Sequence, residues 1–183
     1  DVTLDLSLAD DWECRVTPSD GSDDGTSSSA TAEVFAPYNI GNDTTFSGRS
    51  VHAADYLLGF KVTVASDVTV TDLAVIGKAS GGNGMLALYE DSSGSPGDLV
   101  VGTGSFSVVS GHHVESVSAT AITAGDYWLV AVYDNQVNIG EATSGGSTIV
   151  YRTLTFGSSL PDPFGSASTY TGDEHNYYMV VYE

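Results

Sequence analysis

The sequence predicts an all-β protein, a two-sheet antiparallel β-sandwich of jelly-roll-like architecture. Val, Thr, Tyr, Ser and Gly dominate the chain, and no stretch sustains the apolar period of about 3.6 residues that marks an amphipathic helix. Short segments of alternating apolar and polar residues recur between turn-rich segments. About ten strands at this spacing favour a sandwich over a single sheet. Since no internal repeat and no linker is evident, we expect one domain over residues 1–183.

Individual strands are predicted from two-residue alternation and from runs of β-branched and aromatic residues. Val62 and Val64, for example, alternate with polar residues, as in a strand with one buried face. Turn sequences separate the strands, and we expect a long hairpin loop over residues 91–98. The predicted strands are Val2–Leu8, Trp12–Val16, Ala32–Ala36, Tyr56–Val64, Val68–Ile76, Met85–Tyr89, Leu99–Val109, Val114–Ala119, Tyr127–Tyr133, Thr148–Phe156 and Tyr177–Tyr182.

Three segments, Met85–Tyr89, Gly94–Leu99 and Ala124–Leu129, together resemble a pattern of known β-sandwich modules. In those modules a strand ending in Leu-Tyr leads through a Gly/Pro loop, and a later strand opens with Gly-x-Tyr-Trp-Leu. The modules belong to secreted and cell-surface prokaryotic proteins, among them subunits of extracellular filaments and tubes. The resemblance implies the sandwich fold and an extracellular location. It does not select an activity, because such modules serve in carbohydrate binding, adhesion and surface assembly.

The charge balance excludes several classes of partner. Lys and Arg total 5 against 24 Asp and Glu, which gives a net charge of -19. Nucleic acids and anionic membranes require a cationic surface, so we expect no nucleic-acid partner. No apolar run approaches the roughly 20 residues that span a bilayer, so we expect no membrane insertion. Because basic residues are scarce, most carboxylates are expected to be solvated or to bind metal cations.

The sequence offers little support for catalysis. It contains no nucleophile elbow, zinc-protease motif or phosphate-binding loop, so we expect a protein that is not an enzyme. Cys14 is the only cysteine, which excludes an intramolecular disulfide. The four histidines, at positions 52, 112, 113 and 175, are expected on the surface. We interpret the start at Asp1 as that of a processed, exported protein, which is extracellular, secreted or on the cell surface.

Residues 20–25 match the first half of a calcium-binding loop. They read Asp-Gly-Ser-Asp-Asp-Gly, and oxygens at the first, third and fifth positions of such a loop converge on one ion. The twelfth position is Thr31 instead of Glu, which excludes an EF-hand. Hard oxygen ligands are abundant and soft ones scarce, which favours calcium; the alternative is a metal-free acidic loop. The candidate metal ligands are Asp20, Ser22, Asp24 and Glu33.

The N-terminal residues 1–9 alternate without a break and predict an amphipathic strand. Its apolar positions are Val2, Leu4, Leu6 and Leu8. This segment is either the first strand of its own sandwich or a donor strand that completes a sheet of the next subunit. Repeated head to tail, such a contact builds a filament or tube. The β-prone C-terminus, Tyr177–Glu183, is the expected acceptor edge.

Two functions from different classes remain. The first is a structural subunit of an extracellular polymer, which binds copies of itself by strand donation and is stabilised by calcium. The alternative is a carbohydrate-binding or adhesive module, which fits the ten tyrosines of the chain and would bind glycans. The sequon at Asn42 additionally makes this residue a candidate glycosylation site.

Overall fold

The computed structural model describes residues 11–33, 35–142 and 146–183. The chain divides into two compact units, Asp1–Pro37 and Tyr38–Glu183. All regular secondary structure of the described residues is β-strand, which confirms the all-β prediction. The first unit contains an antiparallel hairpin of β1 (Asp11–Val16) and β2 (Ser28–Glu33). The single domain over residues 1–183 stays a prediction.

The second unit is an antiparallel sandwich of two sheets, as the sequence predicts. Strands of the six-stranded sheet are β3 (Tyr38–Gly41), β4 (Gly48–His52), β6 (Val68–Gly77), β10 (Gly111–Ile122), β12 (Val137–Glu141) and β15 (Tyr177–Tyr182). Those of the seven-stranded sheet are β5 (Tyr56–Val64), β7 (Asn83–Ser92), β8 (Ser95–Gly102), β9 (Phe106–Ser107), β11 (Gly125–Tyr133), β13 (Ser147–Thr153) and β14 (Ser168–Gly172). The first sheet has the order β3-β15-β6-β12-β4, with β10 also on β6. The second has the order β14-β13-β5-β11-β7-β8, with β9 on β7.

The main core lies between the two sheets and is built by alternate residues of the central strands. Phe60, Leu73 and Leu129 are among its fully buried side chains. Burying one side chain of this size stabilises the folded state by about 1.5–3 kcal/mol.

A second apolar cluster covers the outer face of the seven-stranded sheet. Trp128 is 1% exposed there, and its Nε1 donates to Asp91 Oδ1 at 2.8 Å. The Tyr89 ring packs edge-on against Phe164, and its hydroxyl donates to the Pro161 carbonyl oxygen at 2.9 Å. Trp128 and Tyr89, which stand out in the sequence, thus serve packing.

Two expectations about local structure are wrong. Residues 91–98 are not a long loop, because β7 and β8 are joined by a tight turn at Ser93 and Gly94. Both residues have positive φ, which matches the twist of the flanking strands. The C-terminal strand is not a free edge, since Tyr178–Val181 pairs with β6 on one side and β3 on the other.

Four short strands, β3, β4, β12 and β14, are absent from the sequence prediction. The predicted strand Leu99–Val109 is divided between β8 and β9, and β2 begins four residues before the predicted Ala32. Among the described residues, no helix is long and apolar enough to cross a bilayer.

Candidate functional site

A cleft is lined by residues of β4 in one sheet and of β5, β13 and β14 in the other. It has a volume of about 390 Å³. We call it the tyrosine cleft. Its lining residues are Ser50, Val51, His52, Ala53, Tyr56, Leu58, Tyr151, Tyr170 and His175.

Three tyrosines form one wall of the cleft. Tyr56 lies on β5, four residues before the core residue Phe60. Since side chains alternate along a strand, both point to the core-facing side of the sheet. The ring centroids of Tyr56 and Tyr151 are 6.2 Å apart with planes at 51°, and those of Tyr151 and Tyr170 are 5.8 Å apart with planes at 62°. Because neighbouring rings are inclined to each other, they present a curved aromatic surface. Tyr56 is 37% and Tyr170 44% exposed.

Two buried histidines also line the cleft. His52 ends β4, and His175 lies two residues before the C-terminal strand; each is 3% exposed. Their ring centroids lie 5.8 Å apart. His52 packs edge-on against Tyr133, and His175 stacks on Tyr177. The expectation of surface histidines is therefore wrong for these two, because packing against aromatic rings removes both from solvent.

Burial keeps both imidazoles neutral. It lowers the pKa of His52 to about 3, and the neighbouring His175 contributes to the shift. It lowers the pKa of His175 to about 4. His52 Nδ1 lies 2.9 Å from the Ala53 carbonyl oxygen. Since a carbonyl only accepts, Nδ1 carries the proton and Nε2 is an acceptor.

Ring nitrogens of both histidines lack hydrogen-bond partners within the described residues. They are Nε2 of His52 and Nδ1 of His175, and both atoms are buried. A buried polar atom without a partner costs about 1–3 kcal/mol, so such atoms are uncommon in folded proteins. Both unpartnered nitrogens belong to residues that line the cleft.

Two carboxylates near Tyr170 place negative charge beside the cleft. Burial is the largest cause that raises the pKa of Tyr170, and the charges of Glu141 and Asp173 raise it further. Asp173 Oδ1 is buried and has no hydrogen-bond partner in the described ranges. The lining residues include no lysine or arginine.

Hydrogen bonds from distant segments hold His175 in place. The Asn42 side-chain Nδ2 donates to the His175 carbonyl oxygen at 3.0 Å and to Glu174 Oε2 at 2.9 Å. Ser147 on β13 donates to Glu174 Oε1. Asn42, the predicted glycosylation site, is thus half-buried with both N–H groups engaged. Its glycosylation stays a prediction.

The predicted calcium loop forms a turn closed by its own carboxylate. Asp20 Oδ1 accepts from the backbone N–H groups of Ser22 at 2.9 Å and Asp23 at 3.0 Å. These bonds lower the pKa of Asp20. Asp20 and Asp24 line one shallow hollow, and Ser22 is not among its lining residues. The side chain of Glu33 is not among those that the structure describes. No group of three or more His, Cys, Asp or Glu side chains placed to hold a metal occurs in the part of the chain that the structure describes. Calcium binding at this loop stays a prediction.

The predicted donor-strand residues, Val2, Leu4, Leu6 and Leu8, lie outside the described residues. Of the open edges of the sandwich, β10 carries features that discourage pairing. His113 on this strand stacks on Phe106 and pairs with Glu115 at 2.7 Å, and the strand is bulged between Ser116 and Thr120. Charged side chains and bulges of this kind protect sheet edges.

The tyrosine cleft is not predicted by the sequence, because β4 and β14 are short and mostly polar. The triplet Thr169-Tyr170-Thr171 was a usable signal, since all three residues favour strands. Comparison of the chain with protein families, with curated proteins and with solved structures finds no match. The geometry of the cleft is therefore the basis on which a function can be proposed.

Proposed function

We propose that this protein is a carbohydrate-binding module, and that the tyrosine cleft is its binding site. The observation that carries the proposal is the wall of three inclined tyrosine rings beside two buried, neutral imidazoles. Sugar rings have apolar C–H faces that pack on aromatic rings, and hydroxyl groups that need hydrogen-bond partners. The cleft offers both kinds of contact.

The dimensions and chemistry of the cleft support this proposal. Its volume of about 390 Å³ is that of a small-molecule site, which typically measures about 300–1,000 Å³. Tyr151 and Tyr170 supply aromatic area with polar tips, as is common where a ligand is partly apolar. His52 Nε2 is an acceptor without a partner in the described residues, and a sugar hydroxyl is a donor.

The resemblance to sandwich modules of secreted and cell-surface proteins supports the same proposal. Carbohydrate binding and adhesion are among the functions of those modules. We accordingly propose that the protein acts outside the cell as a glycan-binding or adhesive module, by binding and not by catalysis.

The test is a polysaccharide screen followed by one matched pair of variants. Tyr56 and Tyr182 are both 37% exposed, but only Tyr56 lines the cleft. We expect Tyr56→Ala to weaken binding of the best ligand roughly fivefold to tenfold, and Tyr182→Ala to leave it unchanged. If no saccharide binds, or if both variants weaken binding equally, the cleft is not a glycan site.

A second candidate is the polymer subunit that the sequence favours, assembled from copies of the chain by donation of residues 1–9. One observation supports an acceptor edge at β4. This strand pairs with β12 alone among the described strands, and its exposed Arg49 makes no ion pair within the described residues. An incoming strand that carries Asp1 and Asp5 would bring opposite charge to Arg49. Stabilisation of that polymer by calcium belongs to the same proposal.

A further inference from the structure

We infer that the tyrosine cleft selects a positively charged ligand, namely a saccharide that carries protonated amino groups. This inference deepens the proposed function and rests on it, because it assigns the chemical class of glycan to the same cleft. It follows from three properties of the cleft: its aromatic surface, its unpartnered acceptors and its charge.

The aromatic wall is shaped to hold a cation. A cation within about 6 Å of an aromatic centroid is attracted by the negative face of the ring. Neighbouring rings in this wall are 6.2 and 5.8 Å apart and inclined by 51° and 62°. A cation over the face of Tyr151 therefore has the centroid of a second aromatic ring, that of Tyr56 or Tyr170, 6.2 or 5.8 Å from the Tyr151 centroid. A neutral sugar ring needs only one flat aromatic face, whereas an ammonium group gains from several inclined ones.

The unpartnered nitrogen of His52 also favours a ligand that is rich in hydrogen-bond donors. An ammonium group has three donors and no acceptor. His52 Nε2 is an acceptor, because its other nitrogen donates to the Ala53 carbonyl oxygen. The side chain is 3% exposed, and its Nε2 has no partner among the described residues. As a neutral imidazole, His52 accepts such a bond without repelling the positive charge.

The charges near the cleft point the same way. Glu141 and Asp173 are close enough to Tyr170 to perturb its hydroxyl, and Asp173 Oδ1 is buried without a partner in the described ranges. No lysine or arginine among the described residues lines the cleft. Arg49, the basic residue of β4, is exposed and is not among the residues that line the cleft. With a net charge of -19 on the whole chain, uronic acids and sulfated glycans are disfavoured, while an aminated glycan is attracted.

The experiment compares two disaccharides that differ only in whether their amino groups are free or acetylated. Glucosamine disaccharide has free amines, which are protonated at about pH 6, and its N-acetylated counterpart is neutral. Binding of each to the full chain is measured by calorimetry or NMR titration. Because an acidic surface attracts any cation, the titrations are made at about 0.5 M salt, where exposed charges are largely screened. We expect the free amine to bind about tenfold more tightly than the acetylated sugar.

Variants of Tyr151 separate specific recognition from general attraction without changing any charge. Tyr151→Phe keeps the aromatic face and should retain the tenfold preference, whereas Tyr151→Leu should reduce it to about twofold or less. Thermal melting verifies that both variants are folded. Equal affinities for the two sugars in the native protein, or a preference that survives Tyr151→Leu, would overturn the inference while glycan binding stands. Failure of every saccharide to bind would instead overturn the proposed function.

Discussion

The side chains of Asn42 and Asn176 each donate a hydrogen bond to the backbone of the other's segment. Asn176 Nδ2 donates to the Asn42 carbonyl oxygen at 2.9 Å, and Asn42 Nδ2 donates to the carbonyl oxygen of the adjacent His175 at 3.0 Å. Asn176 is fully buried, and its amide also donates to the Thr44 carbonyl and accepts from the Phe46 N–H. Both amide hydrogens and the amide oxygen of Asn176 are therefore hydrogen-bonded, which fixes the loop that leads into β4. Asn42 in turn holds the backbone of His175, which lines the cleft.

We predict that Asn176→Asp destabilises the protein by about 3 kcal/mol or more. The substitution keeps the shape of the side chain but places a buried carboxylate against the carbonyl oxygens of Asn42 and Thr44. Urea unfolding measures the loss. Asn39→Asp is the control, because Asn39 is exposed and, within the described residues, its side-chain amide bonds only to Asp43. A loss no larger than that of the control would show that the hydrogen bonds of Asn176 contribute little.

The two buried histidines predict a stability that falls in mild acid. Their pKa values are lowered in the folded state from about 6.5 to about 3 for His52 and about 4 for His175. Their contribution is therefore fully present above about pH 6.5 and is lost as the pH falls toward those values. Since the unfolded chain binds the protons first, each histidine lowers the free energy of unfolding by about 1.4 kcal/mol per pH unit.

Urea titrations between about pH 6.5 and 4.5 test this pH dependence, because most carboxylates are still ionised there. We expect His175→Phe to reduce the slope, and His112→Gln, which changes an exposed histidine, to leave it unchanged. A flat stability profile of the native protein over this range would contradict the assignment.

Calcium binding at residues 20–25 is expected to depend on the charge of Asp20. Asp20→Asn preserves an oxygen that can accept from Ser22 and Asp23, so the turn should persist while the ionic ligand is lost. Calorimetric titration should therefore give weaker calcium binding for Asp20→Asn and Asp24→Asn than for the native chain. Asp98→Asn, at an exposed position of β8, serves as the control. Equal affinity in all four proteins would exclude this loop as the site.

Strand donation predicts that removal of residues 1–9 abolishes assembly without unfolding the sandwich. Electron microscopy in millimolar calcium should show filaments for the full chain and monomers for the truncated one. The full-length double variant Leu4→Asn, Leu6→Asn should behave like the truncation, because it removes apolar positions from the strand. Repetition with a chelator tests whether calcium stabilises the polymer. Unchanged filaments after truncation would rule out donation by this segment.

A strand could be predicted from the sequence when its own residues alternate clearly or strongly favour β-structure. Tyr56–Val64 and Tyr177–Tyr182 have the predicted bounds, because alternation or a dense β-prone run marks them without reference to the rest of the chain. Strand β4 contains glycine, arginine, serine and histidine and has no such pattern. It exists because its backbone pairs with β12, which lies more than eighty residues further along the chain.

By itself, the sequence determined the all-β sandwich, the acidic surface and the expectation of glycans among the candidate partners, because these depend on local alternation and on composition. Only the tertiary structure decided that His52 and His175 are buried and that they meet Tyr56, Tyr151 and Tyr170 in one cleft. These residues come from segments separated by up to 123 positions, and their meeting depends on long-range strand pairing. Burial and proximity are properties of the packed sheets, and so the chemistry of the cleft arises only when those sheets close.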